Sequence, residues 1–137
     1  MNNNTFPYTP PASVLSRPSF REAFRRAAQQ IELECCDVTE KDAIRELCYI
    51  IAEAYAIEPA SKIRISGETL DAYLVQEVFR ELTLEHLRLV RSNFEQRTCL
   101  IKNKRAYLRA ALYNSVFELE AHYTNLCAYN SDKGAKA

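Results

Sequence analysis

Glycine is nearly missing from this chain: only Gly67 and Gly134 occur among 137 residues. Dinucleotide fingerprints and phosphate loops each need several closely spaced glycines, so nucleotide cradling by a glycine-rich loop is excluded. No stretch approaches the ~18 consecutive apolar residues of a membrane-spanning helix, and residues 1–5 carry no positive charge and lead into no apolar run of the secretory kind. The five cysteines, Cys35, Cys36, Cys48, Cys99 and Cys127, are odd in number and contain no CxxC pair, which excludes a disulfide framework and a zinc ribbon. They read as reduced, mostly buried thiols of a cytoplasmic protein. The adjacent Cys35 and Cys36 leave open a vicinal disulfide or redox switch beside ordinary helix-end cysteines. Net charge is missing too, because 18 Lys and Arg balance 18 Asp and Glu, and taken whole this argues against a nucleic-acid partner.

What is present favours helices. Ala, Leu, Glu and Arg are abundant, and these are good helix formers. The length suits one domain, since domains typically run to ~100–150 residues. The expected fold is therefore a mainly all-α, compact bundle of five to six short helices.

Residues 1–18 hold four of the five prolines, one charge and no apolar period, and read as a disordered linker or tail. Pro7 and Pro10 form a PxxP that is either a groove ligand or a plain extended spacer. A single helical domain is expected over 19–129. Ser19 and Glu22 have capping-box spacing, and Phe20, Phe24, Ala27, Ala28 and Ile31 give a first helix one apolar face. A second helix, starting at Asp37 or Thr39 and ended by Pro59, carries Ile44, Leu47, Cys48, Ile51 and Tyr55 on one stripe. Residues 62–66 alternate with period two before Gly67 and Glu68, which predicts one short strand or hairpin near 62–70. The helical period resumes with Leu74, Val75, Val78, Phe79 and Leu82. Thr83 is placed to cap a helix through Leu84, Leu87, Val90 and Phe94. A fifth helix over 103–113 would end where Ser115 and Glu118 repeat the capping-box spacing, giving 116–127 to a sixth with Leu119, Tyr123 and Leu126 inward. Residues 130–137 read as a frayed, disordered tail.

The chain offers little for catalysis. His86 and His122 are the only histidines and stand in no metal-spaced cluster. Glu118 and Glu120 are two apart and face different ways on a helix, so paired-carboxylate acid–base work has no support. No serine sits in a nucleophile elbow, and the cysteines fall on or beside core stripes. The expectation is a protein that is not an enzyme and takes no cofactor or metal. Charge is informative once it is counted by segment: residues 84–109 carry seven basic side chains against two acidic, while residues 1–61 carry six against nine. The basic set is Arg88, Arg91, Arg97, Lys102, Lys104, Arg105 and Arg109. Helical neighbours among them, three or four apart, would form one cationic ridge that attracts phosphates or an acidic partner. The same residues would equally serve as a solvated surface facing the acidic groups of the first two helices. Tyr107 and Tyr113 could stack on unpaired bases or pack into the core.

The second half resembles the helical C-terminal domain of replication initiator protein A from plasmids and integrative conjugative elements of Gram-positive bacteria. The matching residues are KIRISGE at 62–68, VQEVFREL at 75–82, LEHL at 84–87, KNKRAYLRAALYN at 102–114 and HYTNL at 122–126. The resemblance spans about 20–129; Ser115, Val116 and Phe117 depart from the family pattern. It implies a non-enzymatic accessory domain in mobile-element replication, binding DNA non-specifically or a host replication protein through the basic helical face. The alternative is a protein-protein interaction or dimerisation module without DNA affinity, with Ile63 to Ile65 pairing across a homo-oligomer. Relatives of this kind carry a winged-helix domain ahead of the helical one, so the chain reads as an excised domain or a short stand-alone relative.

Overall fold

The structure is a computed structural model and describes residues 9–97 and 101–135, with side chains described as far as Ala121. Pro7, Cys99 and the side chains of His122, Tyr123, Leu126 and Cys127 lie outside that description. The elements run α1 (Ala12–Leu15), α2 (Pro18–Ile31), a 3-10 turn (Leu33–Cys35), α3 (Val38–Tyr55), β1 (Lys62–Ile65), β2 (Glu68–Asp71), α4 (Ala72–Phe79), α5 (Leu84–Glu95) and α6 (Lys104–Ala135). The fold is the expected mainly helical bundle with one short hairpin.

The third helix, α3, is its axis. Ala43, Ile44, Glu46, Leu47, Cys48, Ile50, Ile51, Ala52 and Ala54 are all buried, so the helix is covered on nearly every side. It touches α2, α4, α5 and α6, and a helix apolar nearly all round belongs in the middle of a core. The outer helices each present one stripe to it: Ala27 and Ile31 from α2, Val75 and Phe79 from α4, Leu87, Val90 and Phe94 from α5, and Leu108 and Leu112 from α6.

Two glutamines close the helix ends that this packing buries. Gln76 on α4 donates its amide to the carbonyls of Ala54 (3.0 Å) and Ile57 (2.8 Å) at the end of α3. Gln30 on α2 donates to Phe79 (2.8 Å) and Leu82 (2.9 Å) at the end of α4, while its own oxygen accepts from the Tyr55 hydroxyl (2.6 Å). Terminal helix carbonyls have no intrahelical donor, so side chains from neighbouring helices satisfy them.

Several boundaries differ from the sequence reading. Residues 12–15, expected within a disordered linker, form helix α1, whose Val14 and Leu15 pack with Phe20 and Tyr49. Its prolines act as helix starters: Pro11 precedes α1 and Pro18 occupies the first turn of α2, where its missing N–H costs nothing. Ser19 accordingly lies inside α2 and makes no capping bond, and Glu22 pairs with Arg25 at 2.9 Å instead. Leu74 is exposed, while Val75, Phe79 and Leu82 of the same expected stripe are buried, and α4 starts only at Ala72 because Leu70 and Asp71 belong to β2. The break expected at Ser115 is absent. Ser115 is buried and its hydroxyl donates to the Leu112 carbonyl at 2.7 Å, three residues back in the same helix, so α6 continues through Asn130 to Ala135.

The hairpin pairs Ile63 with Leu70 and Ile65 with Glu68, leaving Ser66 and Gly67 as a two-residue turn. Both have positive φ, 52° and 82°, as a type I′ turn requires. Ile63 and Ile65 are buried in the core, and β1 has β2 as its strand partner along one edge. At the start of α5, the Thr83 N–H donates to His86 Nδ1 at 2.9 Å within a reciprocal capping box. A backbone N–H can only donate, so Nδ1 is the acceptor and the ring proton sits on Nε2. Burial holds the His86 pKa below the ordinary imidazole value, against the opposing effect of Glu85 and Glu81.

Two tests follow from these turns. Gly67→Ala should destabilise the domain by about 1 kcal/mol through its positive φ, since nothing obstructs the added methyl, whereas Ser66→Asn should hold or raise stability. Urea midpoints check both; an unchanged midpoint for Gly67→Ala would refute the turn assignment. His86 favours its neutral form when folded, so its contribution is complete above the unfolded imidazole pKa of ~6.5 and declines as pH falls below it. His86→Gln keeps a capping acceptor without a proton to gain. The thermal midpoint of the parent should fall between about pH 7 and 5.5 more steeply than that of the variant, and parallel curves would remove His86 as the cause.

Candidate functional site

The seven basic residues of the expected ridge do not form an open cationic face. Three are held by glutamates of α3. Arg88 on α5 forms a two-pronged pair with Glu40, both contacts 2.9 Å, and this hydrogen bonding lowers the Glu40 carboxyl pKa. Lys104, at the start of α6, meets Glu46 at 2.6 Å; the glutamate is 0% exposed and the lysine side chain 13%. Its next neighbour Arg105 meets Glu53 at 2.8 Å. Glu46 and Glu53 are seven apart, two helical turns, and so present one stripe to α6. Glu40 lies about a third of a turn away around the axis and faces α5.

The remaining four divide differently. Arg91 pairs with Glu95 one turn along α5 at 2.8 Å. Arg97 lies 4.5 Å from the Tyr107 ring centroid and donates to its hydroxyl at 3.2 Å. The other neighbour of that ring is Phe94, at 6.0 Å between centroids, so Tyr107 joins α5 to α6 and its face is not open to a base. Lys102 is exposed just ahead of α6. Arg109 turns with Arg105 toward α1 and α2, where both line a pocket of about 230 Å³ together with Arg17, Ser19, Phe20 and Glu53.

That pocket exposes what segment counting hid. Residues 1–61 are net acidic, yet their acidic members Glu40, Glu46 and Glu53 turn toward α5 and α6. Arg17, Arg21 and Arg25 follow one another at four-residue steps along α2, all exposed. Of these only Arg25 has an acidic partner within α2, Glu22. One positive pole of the domain therefore lies where Arg17, Arg105 and Arg109 line a single pocket; Arg21 is exposed on α2 and Lys102 just ahead of α6. The i, i+4, i+8 arginine spacing was available in the sequence; its proximity to residues 105 and 109 was not.

Other chemistry is sparse. Among the described residues no group of three or more His, Cys, Asp or Glu is placed to hold a metal, and no helix is long and apolar enough to cross a membrane. Cys35 is exposed, while Cys36 and Cys48 are buried and free. Burial pushes the Cys48 thiol pKa up to about 12, far from a nucleophile. A groove between α5 and α6, about 260 Å³, is lined by Leu89, Asn93, Ala110 and Asn114. On α6, Phe117 is half-exposed, 5.4 Å from Tyr113 between ring centroids.

The Glu46–Lys104 pair is expected to respond unequally to loss of its partners. Lys104→Met leaves a buried carboxylate and should cost about 3–5 kcal/mol, while the double variant Glu46→Leu with Lys104→Met should regain most of that. Urea denaturation of the parent, single and double variants forms the cycle. A single variant no less stable than the double would show that the pair does not constrain the fold.

No curated protein and no solved structure matches this chain. A family described as a family of unknown function (DUF6017) matches residues 12–134, from the first residue of α1 almost to the end of α6. With α1 to α5 and all but the last residue of α6 inside that match, the chain belongs to this family.

Proposed function

We propose that the domain is the non-enzymatic accessory part of a mobile-element replication initiator, acting in the bacterial cytoplasm by gripping DNA phosphates through its α2–α6 pole. The observation that carries this reading is the convergence of Arg17, Arg105 and Arg109, far apart in sequence, on one pocket, with Arg21 exposed on α2 and Lys102 exposed just ahead of α6. Clustered guanidinium groups attract phosphate oxygens whatever the net charge of the molecule. The zero total then limits the reach of that attraction, as suits an accessory contact beside a separate sequence reader. The initiator context comes from the resemblance in the motifs of residues 62–126.

A second reading, a protein-protein interaction or dimerisation module without DNA affinity, is favoured by one observation, the half-exposed Phe117 on α6.

Titration with duplex DNA over a salt series separates the two. The pole should give a log–log slope of about −3 to −4, because each neutralised phosphate contributes roughly −0.9. Arg17→Gln and Arg21→Gln should each reduce it by about 0.9, whereas Arg88→Gln, away from the pole, should leave it unchanged. Charge reversal at Lys104 would disturb the fold and is avoided as a probe. Absence of binding tighter than ~10⁻⁴ M at low salt would overturn the DNA reading, and a dimer mass from light scattering together with that absence would favour the second.

A further inference from the structure

We infer that the cavity where the end of α4, the start of α5 and the middle of α6 meet docks a basic segment of a partner protein, with one lysine or arginine held against Glu81 and Glu120. The cavity measures about 510 Å³, within the ~300–1,000 Å³ of ligand sites, and Glu81, His86, Val116, Leu119 and Glu120 line it. It shares no residue with the positive pole, so it goes beyond the DNA reading and does not depend on it.

His86 points to a ligand independently of the acids. Its side chain is buried, with the residue 9% exposed, and Nδ1 accepts the Thr83 N–H at 2.9 Å. The ring proton therefore lies on Nε2, at the other edge of the imidazole, and among the described residues no acceptor meets it. Because Nδ1 is turned back to the helix cap, Nε2–H is the edge that the ring offers to the cavity it lines. A buried donor without an acceptor costs free energy, which a ligand oxygen in the cavity would recover.

Charge and shape follow from the other lining residues. Glu81 and Glu120 are exposed, neither has a cationic partner among the described residues, and no described Lys or Arg lines the cavity. The two carboxylates therefore favour a cation. Leu119 and Glu120 lie three and four residues after Val116, so the three share one face of α6 and set an apolar wall beside a carboxylate. A lysine or arginine residue meets all of these demands at once. Its alkyl stem suits Val116 and Leu119, its charged head suits the two glutamates, and its backbone carbonyl accepts from His86. A polyamine supplies charge and stem but no acceptor for Nε2–H. A metal ion would find no lone pair on a protonated Nε2.

The test titrates the full ¹⁵N-labelled chain at about pH 7.5, above the ordinary imidazole pKa of ~6.5. The probes are an end-blocked pentapeptide with a central lysine among alanines, the same peptide with norleucine in place of lysine, and spermidine. The lysine peptide should saturably shift the backbone amides of 81–86 and 116–120 together with the His86 Nε2 signal. Glu81→Gln and Glu120→Gln, both at exposed positions, should each weaken it about two- to fivefold. His86→Gln, which keeps a capping acceptor, should weaken the peptide and leave spermidine unchanged. Norleucine and lysine peptides of equal affinity would overturn the cation site, and spermidine binding as tightly as the lysine peptide would overturn the peptide assignment. Absence of saturable shifts at these residues with every probe would overturn the site itself. The probe comparison needs only the parent chain, so it decides the matter should a variant fold poorly.

Discussion

A carboxylate buried in an apolar core must be matched by a cation, and Glu46 imposes that requirement at the centre of this domain. Its position on α3, 0% exposed, means that the first turn of α6 has to arrive with a lysine at one height, or a charge is left uncompensated in a low-dielectric interior. Lys104 meets it, and Arg105 and Glu53 repeat the contact on the exposed side of the same stripe. A lysine and an arginine in adjacent positions thereby fix both the height and the rotation of α6 against α3. Apolar packing of Leu108 and Leu112 alone would leave the sliding of α6 less determined, because apolar contact is non-directional.

This constraint also reassigns the surface charge. Arg88, Lys104 and Arg105 of the dense basic stretch at 84–109 are engaged by glutamates of α3, so much of that stretch serves the packing of α5 and α6. Arg17 and Arg21 at the start of α2 and Lys102 just ahead of α6 are exposed. The pocket combines Arg17 with Arg105, which Glu53 holds, and with Arg109.

Helix ends show the same division between local and remote causes. Thr83 is a local signal, since a cap and its helix are adjacent in sequence, and it was legible with the period of Leu84, Leu87, Val90 and Phe94. The hairpin at 62–71 was legible for the same reason, with alternation and Gly67 together. Gln30 and Gln76 were not, because they cap helices from across the core, 49 and 22 residues away. Ser115 misled because its spacing to Glu118 imitates a cap, whereas a buried serine can also bond back to its own helix without ending it. Likewise proline content at 10–18 signalled disorder, although proline at a helix start is compatible with order when apolar neighbours such as Val14, Leu15 and Phe20 find a cluster.

By itself, then, the sequence determined the class of the fold, the hairpin and the faces by which α2, α3 and α5 pack, since each rests on periodicity within a few turns. It also contained every basic side chain that enters the candidate site. Only the tertiary structure decided which basic side chains meet Glu40, Glu46 and Glu53, and that Arg105 and Arg109 line one pocket with Arg17. The physical reason is range: helical spacing places neighbours within one element, but whether a charge meets a partner or solvent depends on elements some fifty or more residues apart, brought together by burial that acts without regard to sequence distance.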